Sequence, residues 1–325
     1  MSRTFQSDQR VKGVNAAAIA FLFPGQGSQA VGMGRALAEA YPEARDVFAQ
    51  ADQVLGFALS KLCFEGPEPD LTDTVNQQPA LLVTSIAALR AIEIRAPHLR
   101  PAFAAGHSLG EFSALVAAGS LGFADAMRLV RERGRLMKQA GETAPGGMAA
   151  VMNLDRDTLA EVCQEASQAS GQRVQIANDN APGQIVISGH QDALARAVEL
   201  AKSKGAKRVI PLKITIAAHS PLMAMAARSF RGELDSVAFG PPRIPVVGNV
   251  YARPIVYADL RDELQMQLTS PVRWTESIQY LVAQGVTRFI EVGPKDVLAG
   301  LVRRIDSSAS AMSVGDPASL DLLLA

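Results

Sequence analysis

The 325-residue sequence has only two cysteines, four histidines and one tryptophan, and no excess of either charge. Cys63 and Cys163 cannot build a disulfide framework, and neither has another Cys or His at metal-ligand spacing, so no metal site is expected. They read as buried free thiols, which suits a reducing compartment. The 32 Lys and Arg balance the 32 Asp and Glu, so no global field points to nucleic acid or a membrane as partner. No apolar run approaches the about 20 residues of a membrane span. The run A-A-A-I-A-F-L-F at 16–23 follows Arg10 and Lys12 in the manner of a signal peptide. It lacks a cleavage motif and passes directly into P-G-Q-G-S-Q, so it reads as a buried strand ending in a functional loop, and the expected location is cytoplasmic. Internal repeats and low-complexity segments are also lacking.

What is present is a globular composition, 48% hydrophobic and 20% charged, in a chain long enough for one large core or two packed subdomains. Short apolar runs alternate with longer helical ones, which is the mark of an α/β protein. Strands are expected at 19–23, 102–106, 245–250 and 288–292, and helices at 30–41, 78–93, 110–118, 123–139, 219–235 and 275–284. A different rhythm fills the stretch from about 147 to 214, where the expected order is βαββαβ, the split-βαβ ferredoxin-like unit. The division expected is a flexible extension over 1–14, a large discontinuous α/β subdomain over 15–146 and 215–325, and a small ferredoxin-like subdomain over 147–214. A cleft between the two is the default site.

The stretch G-H-S-L-G at 106–110 fits G-x-S-x-G, a strained strand-to-helix turn that pushes a serine side chain outward. An apolar strand precedes it and a helix follows, which is the context the motif requires, so Ser108 is a candidate nucleophile. A serine hydroxyl needs a base, and the choices are His98, His107, His190 and His219. His98 follows Pro97 in a loop, and His190 belongs to the turn after a strand. His107 adjoins the serine on an extended segment and points away from it, which suits lining the pocket better than taking the proton. His219, in a subdomain-boundary loop before a helical stretch, is the best base candidate.

Together P-G-Q-G-S-Q (24–29), G-H-S-L-G-E (106–111), R-G (133–134), A-H-S-P-L-M (218–223), S-P-V-R-W (270–274) and E-V-G-P (291–294) resemble the malonyl-CoA:acyl carrier protein transacylase family, which includes polyketide synthase acyltransferases. The resemblance runs in order from about residue 18 to about 305, with echoes in Q-Q-P-A-L-L (77–82) and N-A-P-G-Q-I-V-I-S-G (180–189). It implies a hydrolase-like parallel-sheet subdomain with a ferredoxin-like insertion. It implies that Ser108 is acylated by a CoA thioester with His219 as base and then acid. It also implies an oxyanion hole from the backbone N–H groups of Gln26 and Leu109. Arg133 would pair with the free carboxylate of malonate. The main-chain carbonyl of Arg273 would orient the histidine, and Asn178 and Asn180 would lie beside the cleft. Trp274 reads as core.

The chain departs from the family's pattern in two places. Ala217 and Ala218 precede the histidine where Phe or Ser is common, so a smaller pocket wall could admit a branched or longer acyl group. Lys295 replaces a common glycine in a turn, with no chemical effect expected. The implied partners are malonyl-CoA as substrate, with no metal or redox cofactor, and an acyl carrier protein, for which K-S-K-G-A-K-R at 202–208 is a candidate basic patch. The function implied is ping-pong transfer of malonyl for fatty-acid or polyketide synthesis. The alternatives are a trans-acting polyketide acyltransferase for another acyl group and a carrier-protein acyl hydrolase.

Overall fold

The computed structural model describes residues 18–212, 214 and 216–325. The extension expected over 1–14 lies outside the described residues, as do Lys213 and Thr215 at the expected subdomain junction. The described residues form nine strands: β1 (Ala18–Phe23), β2 (Phe103–Gly106), β3 (Gly146–Met152), β4 (Val174–Ala181), β5 (Gln184–His190), β6 (Arg208–Pro211), β7 (Val246–Val247), β8 (Val286–Val292) and β9 (Ser310–Val314).

Five of them make a wholly parallel sheet in the order β7-β2-β1-β8-β9. A parallel sheet is covered on both faces, which is why A-I-A-F-L-F can be apolar throughout. Ala20 and Leu22 face one way, joining Phe103, Phe289 and the Trp274, Ile278 and Leu281 side chains of the helix Trp274–Ala283. Phe21 and Phe23 face the other, with Ile290, Val292 and the helix Thr74–Arg95. That helix is apolar almost all round and is correspondingly buried. Each such Phe or Leu side chain contributes about 1.5–3 kcal/mol by leaving water.

The remaining strands form an antiparallel sheet in the order β4-β5-β3-β6, which is the ferredoxin-like order for βαββαβ. The helices Arg156–Ser170 and Gln191–Ser203 cover one face through Leu159, Val162, Ala193 and Ala197. On the other face Met148, Ala177 and Val186 join the large core beside Leu222. The α/β class expected from the sequence is therefore the one formed. Cys63 and Cys163 are buried free thiols, and burial pushes the Cys163 thiol up to about 12.

Several elements differ from expectation for local reasons. The strand expected at 245–250 keeps only Val246–Val247, because Gly248 and Asn249 turn the chain and Gly248 N–H bonds Arg253 C=O. The helix expected at 30–41 shrinks to Arg35–Ala40, since Gly32 and Gly34 adopt φ of 96° and 77°. That expected at 219–235 is broken by His219 at φ 57° and a single 3-10 turn at Pro221–Met223 before Ala224–Ser236. Pro211 closes β6 early, and β9, with no alternation to announce it, is an addition.

β2 ends in a crowded turn. A Cβ on Gly106 would stand 1.9 Å from the backbone of Gly110, and one on Gly110 would stand 2.0 Å from the Phe23 carbonyl. Gly232, exposed on the helix Ala224–Ser236, has nothing within 4 Å of such an atom. In urea unfolding, Gly106→Ala should lose about 3 kcal/mol or more by overpacking, while Gly232→Ala should gain about 0.5–1 kcal/mol from helix propensity. Equal stabilities for the two variants would contradict this account of the turn.

Candidate active site

Ser108 sits where β2 turns into the helix Gly110–Ala117, in the left-handed region at φ 51°. An L-residue pays about 1–2 kcal/mol there, so the surroundings must over-determine the conformation. Asn249 does so from the turn after β7: its Oδ1 accepts the Ser108 N–H at 2.6 Å and its Nδ2 donates to the Gly106 carbonyl at 2.7 Å. The loop after β1 presses against the same turn, since a Cβ on Gly25 would lie 2.4 Å from the His107 carbonyl. That approach brings Gln26 beside the turn, where its side chain donates to Thr74 and Gln77. Among the described residues, neither the Gln26 nor the Leu109 backbone N–H donates to a protein acceptor. Two free donors flanking a serine can receive a developing oxyanion.

His219 reaches Ser108 from the loop that precedes the 3-10 turn Pro221–Met223. Its Nε2 is 2.8 Å from Ser108 Oγ, and its Nδ1 is 2.7 Å from the Gln267 carbonyl. A carbonyl can only accept, so Nδ1 carries the proton and Nε2 is free to accept from the serine hydroxyl. Burial lowers the His219 pKa to about 3, helped by the Arg133 charge and opposed by the bond to Gln267. The imidazole is therefore neutral at neutral pH, with Nε2 unprotonated.

The orienting carbonyl was expected at Arg273, and that assignment is corrected to Gln267. The Arg273 carbonyl is already engaged at the start of the helix Trp274–Ala283, where it accepts from the Ser277 backbone N–H and side-chain hydroxyl. The Arg273 side chain pairs with Glu276. Gln267 directly follows the helix Leu260–Met266, where a carbonyl has no further helical donor.

Arg133, on the helix Phe123–Thr143, is 0% exposed. Its Nη1 donates to Gln78 Oε1 at 2.8 Å, and its Nη2 donates to Gln267 Oε1 at 2.9 Å and to Ser108 Oγ at 3.2 Å. All three partners are neutral, and its Nε has none among the described residues. Burial lowers its pKa to about 10 against the pull of Glu111, so the guanidinium stays charged at neutral pH. Arg135 pairs with Glu132 at the surface.

The remaining expected residues separate. His107 Nε2 is 2.8 Å from Asn180 Oδ1, and its ring meets Trp274 edge-on at 5.5 Å. Burial depresses its pKa although part of the residue stays accessible, and among the described residues its ring bonds Asn180 and not the serine hydroxyl. Asn178 lies on β4, 7% exposed, and its amide makes no hydrogen bond among the described residues. Of the two alanines only Ala218 keeps accessible surface, at 8%. Ala217, at 0%, packs beside Gly146 and Leu222, so the expectation that it lines the pocket is corrected to a core position. Lys295 does reach the site's border: from φ 64° its Nζ donates to the Gly27 carbonyl at 3.2 Å. Gln78, Glu111, Asn249 and Gln267 were not anticipated. Gln78 and Glu111 lie inside motifs that drew attention to other residues, while Asn249 and Gln267 had no signal beyond being polar among apolar neighbours.

The chain matches the acyl transferase domain family over residues 20–317. It is 47% identical over 307 residues to a malonyl CoA-acyl carrier protein transacylase of Bacillus subtilis strain 168, covering 94% of this chain and 96% of that protein. It is 43% identical over 296 residues to a polyketide biosynthesis malonyl CoA-acyl carrier protein transacylase of the same strain, covering 90% and 99%. A solved malonyl-transacylase in complex with its type II PKS acyl-carrier protein superposes with a TM-score of 0.91 at 42% identity, covering 95% of this chain and 99% of that one.

Because His219 takes a proton only near pH 3, the rate at which a fluorophosphonate modifies Ser108 should stay flat from about pH 8 down to about pH 5. Ser108→Ala serves as the control, and a midpoint near the ordinary histidine value would contradict the burial argument. Arg273→Ala should leave that rate within about twofold, since it removes only a partly exposed ion pair worth about 0–1 kcal/mol.

Proposed function

Because this chain belongs to the malonyl CoA-acyl carrier protein transacylase family of acyltransferases, we propose that it transfers malonyl from CoA to the phosphopantetheine thiol of an acyl carrier protein through acylated Ser108. The observation that carries the malonyl reading is Arg133, a buried cation with only neutral partners whose Nη2 lies 3.2 Å from Ser108 Oγ. In malonyl a single methylene separates the carboxylate from the thioester carbonyl. Whatever holds the carboxylate must therefore lie beside the nucleophile, and a planar guanidinium suits it.

In the first half-reaction the malonyl carboxylate pairs with Arg133 and the thioester oxygen turns toward the Gln26 and Leu109 N–H groups. Ser108 Oγ attacks the carbonyl carbon as its proton passes to His219 Nε2. The tetrahedral intermediate collapses, the C–S bond breaks, and His219 returns the proton to the departing CoA sulfur. In the second, the carrier's thiol gives its proton to His219 and attacks the Ser108 ester, and the serine leaves with that proton. The Gln267 carbonyl supports the imidazolium at each transfer, as an aspartate does elsewhere. Removing one oxyanion donor from such a site costs about 2.7–4 kcal/mol.

No metal or redox group enters these steps, and CoA is a substrate. The exposed Lys202, Lys204, Lys207 and Arg208 suit an acidic carrier or the CoA phosphates. Among the described residues no helix is long and apolar enough to cross a membrane, and a cytoplasmic location fits the substrates. Hydrolysis of neutral acyl groups would have no use for Arg133.

Mixed separately with malonyl-, methylmalonyl- and acetyl-CoA, the protein should gain the malonyl mass within seconds, and Ser108→Ala should gain none. CoA release without an adduct would favour a hydrolase instead. Arg133→Ala should lower kcat/KM for malonyl-CoA about 10²- to 10³-fold, since breaking a buried charge pair costs about 3–5 kcal/mol, and should raise relative activity on acetyl-CoA. Unchanged selectivity would remove Arg133 from the carboxylate role.

A further inference from the structure

The last residue of G-H-S-L-G-E, Glu111, takes no part in these steps, yet it is 0% exposed and lies within two hydrogen bonds of all three reacting groups. Its Oε2 accepts the Asn249 backbone N–H at 3.0 Å and the Gln267 side-chain Nε2 at 3.0 Å. Asn249 in turn holds the Ser108 N–H and the Gly106 carbonyl. Gln267 Nε2 also donates to the Ser108 carbonyl at 3.0 Å, while its Oε1 faces Arg133 and its main-chain carbonyl faces His219.

An amide can be turned end for end, and only one orientation serves here. Arg133 can only donate, so it needs the oxygen of Gln267, and an NH2 in that place would push the guanidinium away. An acceptor at Glu111 Oε2 draws the NH2 to the opposite side. Resting on the transacylase reading above, we propose that Glu111 is a positioning residue of this site. By holding the Gln267 amide in one orientation it places Arg133 for the substrate carboxylate, and so sets the preference for malonyl over neutral acyl groups.

The carboxyl does this as an acceptor and not as a counter-ion. Among the described residues Arg133 makes no hydrogen bond to it, and its Oε1 has no partner. Burial and the neighbouring Glu263 carboxyl raise its pKa well above the usual range, while Gln267, Asn249 and Arg133 oppose that rise only in part. With no hydrogen bond to Glu111, the Arg133 donors stay clear of any carboxylate until the substrate's arrives.

Two variants separate reach from charge. Glu111→Gln keeps the length of the side chain and an acceptor oxygen but cannot ionise. Glu111→Asp keeps the acid but is one methylene too short to reach Gln267. Rate constants for Ser108 acylation by malonyl- and acetyl-CoA, each normalised to active sites titrated by the acylation burst, give the malonyl-to-acetyl ratio. The expected result is a Gln variant within about threefold of the parent and an Asp variant whose ratio falls about tenfold or more. A Gln variant impaired more than the Asp variant would show a charge role and overturn the inference. So would an Asp variant that loses only active fraction, with its ratio unchanged, because that is what a merely structural residue does.

If Glu111→Asp is insoluble, Gln267→Met removes the relay itself and must lower the same ratio. An unchanged ratio there would also overturn the inference. The parent and Arg133→Ala run alongside. A parent that malonyl-CoA does not acylate refutes the transacylase reading, whereas an acylated parent whose ratio falls in Arg133→Ala but in neither relay variant refutes only the role of Glu111.

Discussion

A guanidinium kept charged inside the protein without a carboxylate in contact is the constraint around which this site is arranged. Taking a charge out of water costs several kcal/mol unless its donors are met. Gln78, Gln267 and Ser108 meet three of them without cancelling the charge. That charge then acts on its surroundings: it helps hold His219 neutral, and so ready as a base. The packing of two helices delivers it. Gly134 follows Arg133, and a Cβ there would stand 2.5 Å from the Thr74 carbonyl. The bare backbone lets Phe123–Thr143 close on Thr74–Arg95 so that Gln78 reaches Arg133, which is the physical content of the R-G pair.

Neutral amides do the organising around that charge. Gln267 alone contacts Ser108, Glu111 and Arg133 through its side chain and His219 through its carbonyl. An amide offers both donors and an acceptor, so it can join an arginine, a carbonyl and a carboxyl without adding charge to a buried site. An aspartate at the same point would neutralise the cation.

Much of this was legible from the sequence because it rests on patterns that sterics impose. The parallel strands announce themselves as apolar runs, the elbow by its glycines, and the βαββαβ order by alternating runs and helices. The pairing of Ser108 with His219 was legible as a candidate because few residue types can serve as nucleophile and base. The carbonyl that orients His219 was not, since a main-chain oxygen has no side-chain signature. It was sought at Arg273, inside a conspicuous motif, and found six residues earlier at the end of a helix that drew no notice. Glu111, Asn249 and Gln78 went unread for a related reason. Their partners are 138, 141 and 55 positions away in the chain, so nothing local distinguishes them from ordinary polar residues. Ala217 was misjudged because adjacency to His219 does not say which way a side chain points.

Two conspicuous motifs turn out to act through the backbone. In E-V-G-P, Glu291 accepts the Ala299 N–H and so caps the start of the helix Val297–Ile305. In S-P-V-R-W, Val272 exchanges hydrogen bonds with β4, donating to Ala177 and accepting from Asp179. The same strand touches the site at two further points: Gln175 Nε2 donates to the carbonyls of His219 and Thr269, and Asn180 meets His107. One edge strand of the small sheet therefore ties the base, the segment following Gln267, the S-P-V-R-W segment and the serine turn into a single register. The Gln175 and Asn180 contacts depend on which way those side chains point, so a slip of one residue in β4 would turn both away. The small antiparallel sheet therefore braces the loop that carries His219 and the turn that carries Ser108, while the parallel strand β2 leads into the serine.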